Sequence, residues 1–176
     1  MRESGLLDIL IRGFVFLLIQ VLLLSNVVFF GAAQIWVYVG LIVSMPLGTP
    51  RIQLLFIGLV YGFLIDVFFN TLGLHMASSV FLAFLQPIIL KLFLDKAPSS
   101  AASEAEYITV KTNGLIWFLS YAGLLFFIHH CTYYFIDAAG FNWLGFTMKK
   151  IVLSTVFSVV TFLIAIYLFY PSGSKR

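Results

Sequence analysis

Charge is the scarcest property of this chain. Only 10% of its 176 residues are Asp, Glu, Lys or Arg, where soluble domains carry about 25%. Hydrophobic residues make up 62%, and the mean hydropathy is +1.09. A water-soluble core of this size cannot hide so much apolar surface. The chain therefore reads as an integral membrane protein with one membrane domain over residues 1–176 and no separate soluble domain. Cysteine is nearly absent: the lone Cys131 excludes an intramolecular disulfide and reads as a small apolar helix residue. The net charge of +3 does not point to nucleic acid, because the basic residues flank apolar segments and form no stripe with aromatics.

Catalytic patterns are missing too. HExxH, a Walker A loop and a G-x-S-x-G elbow do not occur. An intramembrane aspartyl protease needs two aspartates within the bilayer, and only Asp66 qualifies. "HHC", His129 to Cys131, invites a metal reading, but neighbouring helix residues point about 100° apart. Zinc needs three or four converging ligands. The sequence thus predicts no enzyme activity, no catalytic residues, no metal and no cofactor.

What is present is a series of long apolar runs, against the need of about 20 residues to cross a bilayer as a helix. Six stretches come close: Gly13–Phe30, Ala33–Leu47, Gln53–Phe69, His75–Leu94, Gly114–Ile136 and Met148–Tyr170. The first is longer than a signal-peptide core and reads as a retained span. The second is short and ends at Pro46, consistent with a tilted or partly re-entrant helix. Thr49 is a candidate N-cap for the third, with Pro50 at its first helical position. If both termini are cytoplasmic, the inner side holds Arg2, Arg12, Arg51, Lys91, Lys96, Lys111, Lys175 and Arg176, and the outer side only Lys149 and Lys150. That partition obeys the positive-inside rule. Residues 95–113, rich in Ser and Ala, read as a cytoplasmic linker. Trp36, Tyr133, Tyr134 and Tyr170 fall near span ends, as aromatic-belt residues do.

Small and hydrogen-bonding residues mark helix-packing faces in lipid. Gly58, Gly62, Asp66 and Asn70 follow at steps of four and share one face of the third span. Similar stripes are Met76, Ser79, Ala83 and Gln86 (ahead of a kink at Pro87), then Ser120, Gly123, Phe127, His130 and Tyr134, then Lys150, Ser154, Ser158, Thr161 and Ala165. Gln20 adds a buried amide on the first span. Asp66, Asn70, His75, His130, Tyr134, Asp137, Lys149 and Lys150 fall toward the non-cytoplasmic end, which predicts a polar layer or shallow cavity there. Asp66 is expected to pair with Lys150 or His130. It serves either as a polar tie between helices or as a place where a partner or ligand engages.

The segment "GLVYGFLIDVFFNTLGLHMASSVFLAFLQP" resembles the central signature of the bacterial rod shape-determining MreD family, and "QVLLLSNV" and "PLGTPR" resemble its Bacteroidetes-type form. The resemblance implies a non-enzymatic inner-membrane component of the cell-elongation machinery, organising peptidoglycan synthesis. It implies an all-α six-helix bundle similar to the substrate-binding subunits of energy-coupling-factor vitamin transporters. The partners it implies are MreC, MreB, the glycosyltransferase RodA and a class B penicillin-binding protein, besides membrane lipid. The signature maps onto Gly58, Gly62, Asp66, Asn70, Gly73, His75 and Pro87, as helix-packing and partner-binding positions. Gln86 stands where a basic residue is expected in close relatives. The alternative is a vitamin-binding subunit of such a transporter. Those subunits dock their coupling module through spaced alanines on the first helix, and Gly13–Phe30 contains none.

Overall fold

Long runs of Leu, Ile, Val and Phe in a chain with few charges fold as helices, because in lipid each backbone polar group must find its partner within the protein. The computed structural model describes residues 3–94, 108, 110–139 and 143–169. The helices are α1 (Glu3–Leu18), α2 (Gly40–Val43), α3 (Arg51–Phe69), α4 (Leu74–Leu94), α5 (Val110–Asn113), α6 (Leu115–Asp137) and α7 (Leu144–Phe169). A π-helical stretch, Ile19–Leu24, extends α1, and β1 (Val28–Phe29) pairs antiparallel with β2 (Ala33–Gln34) in a small hairpin. The architecture is an all-α bundle, and five of its helical segments are long and apolar enough to cross a membrane. This is a multi-pass membrane protein. Most of the expected linker over 95–113 lies outside the described residues, as does Tyr170.

The short second stretch is built differently from the other five. Residues 33–47 consist of β2, a 3-10 turn at Val37–Val39 and the four-residue α2. They are also the most buried part of the protein, with Trp36 at 1% exposure and Ala33, Val37, Tyr38, Val39 and Ile42 fully enclosed. This strut descends alongside α7, meeting Ser154 at Gln34, Ser158 at Trp36 and Phe162 at Gly40. It runs antiparallel to α1, meeting Gln20 at Ile35 and Gly13 at Leu41.

An irregular segment in a membrane bundle leaves backbone groups without partners, and side chains from two helices supply them. The Gln34 amide donates to Ser154 Oγ at 3.0 Å and the Trp36 amide to Ser158 Oγ at 2.9 Å. Two extended residues rise about 6.6 Å and four helical residues about 6 Å, so alternate strut amides match successive turns of α7. From the other side, Gln20 Nε2 donates to the Ile35 carbonyl at 3.0 Å, and the Tyr38 amide reaches Gln20 Oε1 at 3.5 Å. Gln20 lies within the π-helical stretch, a local widening that is frequent where a helix serves a special site.

Two local expectations are corrected. Thr49 does not cap α3: its hydroxyl donates back to the Pro46 carbonyl, and Pro50 takes the cap position. Trp36 is no belt residue, since it sits in the centre of the core; Tyr133 and Tyr134 are buried with it. Exposed aromatics near span ends are Trp143, at 79%, and Tyr167, at 81%.

Candidate functional site

Asp66 reaches the end of α3 on the face that meets α4. Its Oδ1 accepts hydrogen bonds from the Thr71 hydroxyl and the His75 amide, the latter at 3.0 Å, and its Oδ2 accepts from the Met76 amide at 2.9 Å. These amides belong to the first turn of α4, where helix N–H groups lack intrahelical partners and favour negative charge. The connecting turn is made by Asn70, which ends α3 in the left-handed region at φ 54°, and Gly73 at φ 84°. Asp66 is therefore a clamp across the α3–α4 turn. The expected pairing with Lys150 or His130 does not form. Lys150 instead faces Asp137 at 4.0 Å, and His130 is held deeper in the bundle.

The glycine face is occupied from within. A Cβ at Gly62 would lie 2.6 Å from Met76 Cα and 2.8 Å from the His75 carbonyl oxygen, and one at Gly58 would lie 2.9 Å from the Ser79 carbonyl oxygen. The stripe is thus a helix-packing face as expected, but α4 of the same chain fills it. It is not open to a partner helix. α4 continues unbroken through Pro87 to Leu94. On α6, Ser120 faces outward with its hydroxyl bonded to the Ile116 carbonyl, and nothing lies within 4 Å of a Cβ placed on Gly123. His130 and Tyr134 of the expected stripe do face inward, and the rest of the inward face of α6 runs through Phe118, Ala122, Leu125, His129 and Tyr133.

All three histidines of the chain meet around the strut. The Tyr38 hydroxyl lies 2.8 Å from His75 Nδ1 and 2.8 Å from His129 Nε2. One hydroxyl carries one proton, so it donates to one ring and accepts an N–H from the other. The ring nitrogens left over, His75 Nε2 and His129 Nδ1, are buried without a hydrogen-bond partner among the described residues. One of them must be a donor and the other an acceptor. His130 Nδ1 donates to the Phe126 carbonyl at 2.6 Å, and its Nε2 accepts from Ser158 at 3.3 Å. The indole of Trp36 stacks on His130 with centroids 4.9 Å apart and rings 1° from parallel, while His75 and His129 meet it edge-on. His129 and His130 diverge, as adjacent helix residues must, with ring planes 81° apart. Among the described residues no three His, Cys, Asp or Glu side chains converge as metal ligands.

The expected polar layer divides into three parts: the Asp66 clamp, the enclosed His130 and a cavity. The cavity holds about 390 Å³ and is lined by Tyr134, Asp137, Trp143, Phe146, Thr147 and Lys150, at the end of α6 and the start of α7. Tyr134 links it to the strut, its hydroxyl donating to Gln34 Oε1 at 3.4 Å and lying 3.0 Å from Ser154 Oγ on α7. The Lys150 ammonium sits 5.3 Å from the Tyr134 ring centroid and 5.4 Å from that of Phe146. Sequence reasoning missed Trp36 and Tyr38 as core elements and His129 as a partner. The available signal was the alternation in "QIWVYV", where Gln34, Trp36 and Tyr38 interleave with β-branched residues at period two, a strand pattern and not a helical one.

Compared with family models, with curated proteins and with solved structures, the chain shows no significant match to any of them.

Proposed function

We propose that this protein is a non-enzymatic scaffold of the bacterial cell-elongation machinery, resident in the inner membrane with both termini in the cytoplasm. In this reading it holds an MreC-like single-span partner and helps to organise MreB, RodA and a class B penicillin-binding protein for peptidoglycan synthesis. The orientation is supported by eight basic residues on one side against two on the other. The identity is supported by the resemblance of residues 58–87 to the MreD signature. The observation that carries the reading is how those signature residues are used. Gly58 and Gly62 admit α4, Asp66 clamps its first turn, and Asn70 and Gly73 shape the connection. The signature builds a rigid helical hairpin, as a scaffold requires, and its one carboxylate is engaged in folding. A partner helix would then lie against the lipid-facing surface of the bundle, because the glycine face is filled.

The vitamin-binding reading has one observation in its favour, the 390 Å³ cavity, near the lower end of the range for small-molecule sites. The absence of alanine from Gly13–Phe30 counts against it. Depletion of the protein in its host separates the two. The scaffold reading expects cells to lose their elongated shape at unchanged vitamin uptake. Normal shape with impaired uptake would refute it.

A further inference from the structure

The cavity between the end of α6 and the start of α7 has features that the scaffold reading does not use. Its wall carries one cation and one anion, Lys150 Nζ and Asp137 Oδ2, 4.0 Å apart. A charge-assisted hydrogen bond closes to about 2.7–2.9 Å, so this pair faces across a gap without making the bond. Their side chains are 29% and 42% exposed, which leaves both heads accessible from the cavity. A purely anionic ligand would be repelled by Asp137, and a purely cationic one by Lys150. A zwitterion satisfies both.

The mouth of the cavity indicates where such a zwitterion comes from. Trp143 and Phe146 line it and are exposed, as are neighbouring Leu144 and Met148. A rim of exposed apolar and aromatic side chains, at the level where two membrane-spanning helices end, lies at the lipid headgroup boundary. Thr147, almost fully buried, closes the inner wall.

We propose that this cavity binds the headgroup of a phosphoethanolamine lipid, with the phosphate on the Lys150 ammonium and the lipid ammonium on the Asp137 carboxylate. The same chemistry is offered by a soluble phosphoethanolamine, and the two sources differ in whether acyl chains contribute at the apolar rim. The proposal is independent of the scaffold reading, since partner capture and lipid selection are read separately.

The test is native mass spectrometry of the full chain released from micelles holding equal amounts of phosphatidylethanolamine and phosphatidylglycerol. Retention of the zwitterionic lipid should exceed that of the anionic one by about fivefold, the ratio that about 1 kcal/mol provides. Asp137→Asn should abolish the preference, Lys150→Gln should lower retention of both lipids because each presents a phosphate, and Lys149→Gln, outside the cavity, should change neither. Thermal unfolding of each variant in detergent should stay near that of the parent, showing that the fold is intact. Equal retention of both lipids by the parent, a preference that survives Asp137→Asn, or retention of both lipids unchanged in Lys150→Gln would overturn the proposal. Displacement by soluble glycerophosphoethanolamine at the concentration of the lipid would also overturn it, assigning the cavity to a soluble zwitterion.

Discussion

At the scale of single residues, Asp66 decides how the intramembrane charge is to be understood. A carboxylate in an apolar run suggests a reactive group or an ion pair. Here it accepts three hydrogen bonds, two of them from the opening turn of α4. Hydrogen bonds to charged groups contribute about 1.5–3 kcal/mol, and removing the acceptor leaves buried donors without a partner. Asp66→Ala should therefore destabilise the protein by about 3 kcal/mol, and Asp66→Asn, which keeps one oxygen, by roughly half of that. Lys150→Ala should cost no more than about 1 kcal/mol, as a half-exposed pair does. Denaturant unfolding in detergent micelles measures all three, and equal losses for Asp66→Ala and Lys150→Ala would restore the pairing that the geometry removes. The steps of four from Gly58 to Asp66 were enough to place the aspartate on a packing face. Its partners were hidden, because two of the three are backbone amides, which every residue carries and no sequence pattern marks.

At the scale of elements, the strut over 33–47 is the part of the fold that helical periodicity misdescribes. Its length and the Pro46 stop were visible in the sequence, as was the departure from a full span. What was not visible is that the segment forms the centre of the bundle, because a segment's burial depends on which helices surround it. The serines of α7 were correctly placed on an inward face, yet their task is to accept strut amides. Ser154→Ala and Ser158→Ala should each cost about 1–3 kcal/mol, the cost of a buried amide left without an acceptor. Each serine also serves a second group, Ser154 the Tyr134 hydroxyl and Ser158 His130. Ser158→Ala should still be the worse, since the Trp36 bond is buried and the Gln34 bond only partly so. Ser120→Ala, on the outward face of α6, should change stability by less than about 0.5 kcal/mol. Hydrogen exchange at the amides of residues 34 and 36, followed with unfolding, checks the assignment. Exchange and stability indistinguishable from the Ser120→Ala variant would contradict it.

At the scale of the whole molecule, composition alone established the class. Apolar runs located all five long helices to within a few residues at most ends, the main exceptions being the first span and the earlier start of α7. The first span was expected over Gly13–Phe30 but starts at Glu3 and ends at Leu24, where the chain turns into the β1–β2 hairpin. The candidate site was less legible. A polar layer was expected as one surface, but the fold separates it into a clamp, an enclosed histidine cluster and a cavity, because residues at similar depth can still face different neighbours. The filled glycine face moves any partner to the outside of the bundle, where the surface is apolar and continuous with lipid. Affinity purification of the full chain in mild detergent, with identification of co-purifying proteins, tests the scaffold reading most directly. The account predicts recovery of an MreC-like protein with a single membrane span, retained in the Asp137→Asn variant. Recovery of an ATPase coupling module in its place, or of a tightly bound vitamin, would contradict it.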